Sequence, residues 1–201
     1  MNTRISALLA TALLAVAPFA GAANVAGGAA VTGTGTGFGV SGGWCCGASA
    51  PLSSITDGAL LPVGTQWNTN TVFWSGDNTD TSDSLTITLA HAASITSLAL
   101  EGDNNDTYSV SYLGLDSAWH ALATISPNTD SSWGLGDGTA TFAAVTATAF
   151  QITASGDSYY SVAEFQANGE FLPAVPEPTP GVLMLAGLGA LGLLVRRRSA
   201  H

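Results

Sequence analysis

Carboxylates and carboxamides crowd two short stretches of this 201-residue chain. Asp77, Asp80 and Asp83 stand three apart, and Asp103, Asn104, Asn105 and Asp106 run together. Oxygen-rich loops of this kind suit calcium, which takes six to eight hard oxygen ligands. Neither stretch fits an EF-hand: Tyr108 occupies the sixth position after Asp103, where Gly is needed, and the Glu of the twelfth position is missing. Asx side chains capping tight turns are the preferred account of both. A second chemistry is sugar binding, in which an aromatic face lies under the C–H groups of a pyranose while amides and carboxylates fix its hydroxyls. Trp67, Asn104, Asn105, Trp119, Trp133 and Tyr159 are the candidates. Trp67 and Trp119 are explained more readily by core or rim packing. Trp133 comes first, because it sits in a polar, Gly-containing loop (130–138) where packing does not account for an aromatic.

Other reactive residues carry less. Cys45 and Cys46 are the only cysteines. Adjacent Cα atoms lie about 3.8 Å apart, whereas disulfides prefer roughly 4.4–6.8 Å. A bridge between them is a strained vicinal ring, which the tandem placement favours; intermolecular disulfides and free thiols are the alternatives. Two thiols are too few for a structural zinc site. Neither His91 nor His120 has a motif that sets a Ser or Cys nucleophile beside it. Glu101, Glu164 and Glu170 show no spacing that asks for the paired carboxylates of a glycosidase. The chain therefore reads as a non-enzyme.

The elements that position these residues are framed by two apolar ends. Residues 1–22 carry Arg4, an apolar core over 7–19 and Ala20-Gly21-Ala22, the pattern of a secretory signal peptide with a small-residue cleavage site. At the other end Pro176-Glu177-Pro178 lies in an extended, proline-rich linker, 172–180. An uncharged run over 181–195 follows, ending in Arg196, Arg197 and Arg198. The run predicts a transmembrane helix whose arginines stay on the cytoplasmic side of the inner membrane. It is short: at 1.5 Å per residue it covers roughly 22 Å of a hydrocarbon core about 30 Å thick. All four basic residues lie in these ends, while the carboxylates, 14 in all, lie between them apart from Glu177. A cargo without Lys or Arg repels nucleic acid, which excludes it as a partner.

Between the ends, 23–50 is a Gly-rich arm containing the cysteine pair, in which Gly33, Gly35, Gly37 and Gly39 alternate with other residues; a flexible arm or a weak edge strand is expected. From 51 to 171 the pattern is strand and turn. Leu85, Ile87 and Leu89 alternate with Thr86 and Thr88, and Tyr108, Val110 and Tyr112 share one face. Further strands are expected over 66–74, 95–100, 119–125, 139–147, 150–154 and 161–166, with Asp-Gly and Gly-Asp turns between them. No stretch has convincing helical amphipathicity. The class is all-β, a sandwich or barrel.

Two resemblances add to this. Pro176-Glu177-Pro178, the apolar helix and Arg196–Arg198 together resemble the PEP-CTERM sorting signal of Gram-negative bacteria. That resemblance implies recognition and cleavage by an exosortase, passage through the inner membrane, a final place at the envelope, outer surface or extracellular matrix, and a link to exopolysaccharide and biofilm. The order of strands from 84 to 119, with Thr56-Asp57-Gly58 and Trp67 upstream and Gly156-Asp157-Ser158-Tyr159-Tyr160-Ser161-Val162-Ala163-Glu164-Phe165 at the close, resembles the galactose-binding-domain-like jelly rolls. These include discoidin and coagulation-factor type C domains and many carbohydrate-binding modules. The resemblance implies a jelly-roll β-sandwich with loops at one end holding a glycan. It also implies a structural calcium ion at Asp57 and Glu164, with Thr65. The arginines often found near the last strands of that family are absent here. The expected function is a non-catalytic glycan-binding module for a polysaccharide ligand; the alternative is a structural matrix protein with no specific ligand.

Overall fold

The structure, a computed structural model, describes residues 22–39, 47–75, 83–128 and 133–173, together with Met184. The signal peptide, the cysteine pair, Asp77, Asp80, the Pro-Glu-Pro motif, the apolar run and the arginines lie outside the described residues. Among the described residues no helix is long and apolar enough to cross a membrane. All the strands belong to one compact unit, Met1–Phe171; of a second, Leu172–His201, only Leu172, Pro173 and Met184 are described.

Eight antiparallel strands follow in order: β1 (Ala23–Asn24), β2 (Ala30–Thr34), β3 (Val72–Ser75), β4 (Ser84–Asp103), β5 (Thr107–Leu113), β6 (Trp119–Ile125), β7 (Leu135–Ser155) and β8 (Tyr159–Phe171). A 3₁₀ turn, Leu52–Thr56, is the one regular helical element of this unit among the described residues. β4 and β7 are long enough to serve two layers. The first part of β4 lies between β2 and the end of β7, which continues to β5 and β6. Its second part lies between the start of β7 and β8, whose far side carries β1 and β3. Register shifts between Thr88 and Ala93 and between Ile95 and Ser97 mark where β4 bends from one layer to the other, as bulges commonly do. The two strands expected on either side of His91 are therefore one, and so are the two expected over 139–154. Runs of small residues around His91 and Thr148 read as breaks, but here they carry the chain round a corner.

Period-two alternation sends Leu85, Ile87, Phe150, Ile152 and Phe165 inward, all of them fully buried. Phe150 of one layer meets Phe165 of the other with ring centroids 5.4 Å apart. The stretch expected as a Gly-rich arm joins the sheet, through β1 on β8 and β2 on β4. Its glycines have a local reason. The Asp83 carboxylate folds against Gly35–Gly37 and accepts the Thr36 N–H at 3.1 Å. A Cβ on Gly35 or Gly37 would lie 1.5 or 2.4 Å from its oxygens.

One buried polar group ties the layers at the end that carries the loops. Between Glu101 and Gly102 the β4–β8 register slips, which leaves backbone groups without ladder partners. The Tyr108 hydroxyl, on β5 and fully buried, donates to the Ser161 carbonyl at 2.6 Å. It also accepts the N–H groups of Asp103 at 3.1 Å and Ser161 at 3.3 Å. Tyr108→Phe removes the partner of three buried backbone groups and is expected to destabilise the fold by about 1–3 kcal/mol, read as a lower urea midpoint with unchanged slope.

Candidate functional site: an aromatic and acidic cleft beside a buried carboxylate pair

The Tyr108 knot fixes the turn from β4 to β5, and three loops assemble around that turn. The Asn104 N–H donates to the Gly134 carbonyl at 3.0 Å. Gly64 and Leu135 donate to the carbonyls of Leu135 and Thr65, both at 2.8 Å. Gly134 has φ +93°, and a Cβ there would strike the Gly64 and Thr65 carbonyls at 2.8 and 2.7 Å, so glycine is required. The residue before it, Trp133, is thrust outward and is 62% exposed.

Trp133 lines a cleft of about 440 Å³. Trp67 and Tyr159 line it too, their ring centroids 5.7 Å apart. Trp67 sits in a turn ahead of β3, not in the strand expected there, and is held edge-on against Phe73 at 5.5 Å. Asn105, Asp103, Asp157 and Gln66 supply the polar lining. Asn105 Nδ2 donates to Asp157 Oδ2 at 2.9 Å, and the Tyr159 N–H donates to Asp157 Oδ1 at 2.9 Å. Four of the six residues singled out for sugar contact, Trp67, Asn105, Trp133 and Tyr159, thus meet in one cleft. Asn104 lies in the adjoining turn, half-buried. Trp119 does not join them. It begins β6, opposite Leu113 at the far end of β5, roughly 20 Å away at 3.3 Å per residue. There it is exposed beside Leu115 and next to His120, which stacks on Tyr112 and meets Asp116 at 2.9 Å.

For Asp103 and Asp106 the sequence favours turn capping over calcium binding; the structure buries both. Asp103 is 4% exposed and Asp106, behind it, 2%. Burial, then the charge of Asp157, pushes Asp103 up to about 7. Burial, then the charges of Asp103 and Asp157, pushes Asp106 up to about 8. Asp106 Oδ1 accepts the Asp157 N–H at 3.4 Å, while Oδ2 is buried with no hydrogen-bond partner.

A second acidic group lies across the back layer. Glu101 is directly opposite Asp137 on β7 and Glu164 on β8. Alternation points Leu100 and Phe165 into the core and these carboxylates to the outer face. There the loop after the 3₁₀ turn covers Glu101 and Glu164: Gly58 N–H donates to Glu164 Oε2 at 3.2 Å and Leu61 N–H to Glu101 Oε2 at 3.0 Å. The other oxygen of each, Oε1, is buried without a hydrogen-bond partner, and both residues line a cavity of about 170 Å³. Burial raises both carboxyls, Glu164 to about 7, with Asp57 and Glu101 adding repulsion at Glu164 and Asp137 at Glu101. Asp57 is close enough to Glu164 for its charge to be felt, and its Oδ1 accepts the Ala59 N–H at 2.8 Å. Thr65 is occupied elsewhere, its hydroxyl donating to Pro62 at 2.6 Å and its carbonyl accepting from Leu135. Among the described residues no three His, Cys, Asp or Glu side chains converge as a metal cage.

The model of a PEP-CTERM protein-sorting motif matches residues 174–198. The chain carries a PEP-CTERM sorting motif. The motif implies export and sorting towards the cell envelope, and it leaves the folded part ahead of it unassigned. A search of the curated proteins finds no match to this PEP-CTERM chain. Among solved structures, a fucose-binding module of Streptococcus pneumoniae is similar, with a TM-score of 0.50 at 12% identity over 74% of this chain and 96% of that one. The family 32 carbohydrate-binding module of Streptococcus pneumoniae EndoD gives 0.47 at 11% identity over 74% and 100%. CpGH89CBM32-4 of Clostridium perfringens, solved with GlcNAc-α-1,4-galactose, gives 0.46 at 17% over 75% and 96%. The first of these supports the fold: the PEP-CTERM cargo is an all-β sandwich of the carbohydrate-binding-module kind.

The buried acids make stability depend on pH. Asp103, Asp106, Glu101 and Glu164 keep their protons in the fold to higher pH than in the unfolded chain. The native state therefore binds more protons between about pH 4 and 8, and stability falls as pH rises through that window. In chelator, the melting temperature is expected to be several degrees higher at pH 5 than at pH 8, and Asp106→Asn should flatten that slope.

Proposed function

We propose that this chain is an exported, non-catalytic glycan-binding module, delivered by its sorting motif to the cell surface or the extracellular polysaccharide. The carrying observation is the cleft: exposed Trp133, next to the tightly held Gly134, lines it together with Trp67, Tyr159, Asn105 and two aspartates. A pyranose on such a site stacks on the rings and shares its hydroxyls with Asn105, Asp157 and Gln66. In an exosortase-processed protein that ligand is a polysaccharide of the envelope or biofilm matrix. We assign to the buried pair a hard cation, calcium, held by the free oxygens of Glu101 and Glu164 with Asp57 nearby. The fit rests on those two unpartnered, buried oxygens, with water to complete the oxygen shell. Thr65 is not needed for it.

Affinity electrophoresis of the full chain in mild detergent against a panel of bacterial and plant polysaccharides tests the first assignment. Retardation is expected for at least one, with Trp133→Ala weakening it by about tenfold or more, roughly 1.4 kcal/mol. No retardation by any, with the variant indistinguishable from wild type, would leave the structural-matrix reading. Calcium at a hundredfold excess over its Kd is expected to stabilise the fold by about 2.7 kcal/mol, seen as a raised melting temperature that EDTA reverses and Glu164→Gln abolishes.

A further inference from the structure

We propose that the cleft selects a sugar carrying a free ammonium group, such as a unit of a de-N-acetylated hexosamine polymer, and that Asp103 and Asp157 are the residues that recognise the charge. The inference rests on the glycan reading of the same cleft and adds the class of sugar. A neutral pyranose needs one carboxylate to accept from a pair of hydroxyls. This site has two carboxylates in its lining and a third, Asp106, immediately behind. It has no cation of its own: its lining holds no Lys, Arg or His. The chain as a whole has four Arg and Lys together, all in residues 1–22 and 181–198, and its His120 sits at the far end of β5.

Asp103 and Asp106 both feel the charge of Asp157, and Asp106 that of Asp103, so a positive partner in the cleft is favoured. That partner is a proton, a metal ion or a charged ligand. Protons hold only while the cleft is empty and the pH is low enough. A metal ion is better served by the glutamate pair, where two buried carboxylate oxygens stand bare, and EDTA removes it from the test. A ligand ammonium meets both demands, because the walls favour it too. Trp67, Trp133 and Tyr159 present π-faces that attract a cation, and they also accept the C–H face of the ring that carries it. An N-acetyl group would bring bulk and no charge to the same place. The volume, about 440 Å³, falls within the roughly 300–1,000 Å³ of small-ligand clefts.

Calorimetry with three disaccharides of one linkage tests this: the β-1,4 diglucosamine, its di-N-acetyl form and cellobiose, at physiological ionic strength, in EDTA, and at a pH where the amine is protonated. Disaccharides avoid the unspecific attraction of a polycation to an anionic protein. The diamine is expected to bind about tenfold more tightly than either neutral sugar. Asp157→Asn, at an exposed position, should bring the three to parity, and Trp133→Ala should weaken all of them. Equal affinities in the wild type, still dependent on Trp133, would overturn the amine assignment and leave the glycan reading standing. No binding by any of the three would also overturn it, and the polysaccharide panel then decides the glycan reading by itself. Choline or lysine methyl ester binding as tightly as the diamine would overturn it as well, showing an ammonium site without sugar selectivity.

Discussion

A single phenol hydroxyl sets the working end of this molecule. Where β4 and β8 fall out of register at Gly102, Tyr108 reaches across from the other layer and takes three backbone hydrogen bonds. Buried backbone groups left without partners are costly, and this side chain supplies the partner that lets the slip be tolerated. The consequences run both ways along β4. Glu101, just before the slip, is turned to the outer face beside Glu164; Asp103, just after it, opens the turn that lines the cleft. Two acidic sites, one on each side of Gly102, therefore depend on one interaction.

Charge balance is the second constraint. An ordinary domain sets Lys or Arg against its buried carboxylates, but between its two apolar ends this one has none. Backbone N–H groups take part of the load, from Gly58 and Leu61 at the glutamates and from Asp157 at Asp106. They satisfy one oxygen of each residue and leave the other bare. The remainder has to come from outside the chain, as protons, a divalent cation or a charged ligand. Such a fold is tuned by the medium into which it is exported.

Much of the sandwich was legible because period-two alternation is a local signal: Leu85, Ile87 and Leu89, or Tyr108 and Val110, announce their strand and its inner face unaided. What the strands do at corners was not. A bulge leaves no break that distinguishes it from a turn, so β4 and β7 each read as two short strands. Gly35 and Gly37 read as flexible because their partner, Asp83, lies more than forty residues away, and only the folded chain shows that their lack of side chains makes room for its carboxylate. Trp133 could be singled out from its polar loop alone. The separation of Trp119 from it could not, since both are tryptophans next to strand ends and only the direction of β5 puts them at opposite ends. The buried acids were hidden by their chemistry: Asp103 and Asp106 do cap a turn, and nothing local tells that the turn is sealed beneath Tyr108 and the Trp133 loop.

The exposure of Trp133 gains meaning from the rigidity of its support. An aromatic on a mobile loop loses conformational freedom when it binds, and part of the contact energy goes to ordering it. Here the backbone just after Trp133, at Gly134 and Leu135, is held by bonds with Asn104, Gly64 and Thr65, and by a glycine that no other residue could replace without striking the 64–65 backbone. Trp67 is likewise set edge-on against Phe73, and the Thr71 hydroxyl bonds its carbonyl. Both tryptophans thus adjoin backbone or rings that the chain's own contacts hold. Such support lowers the ordering cost of any contact made on the two rings.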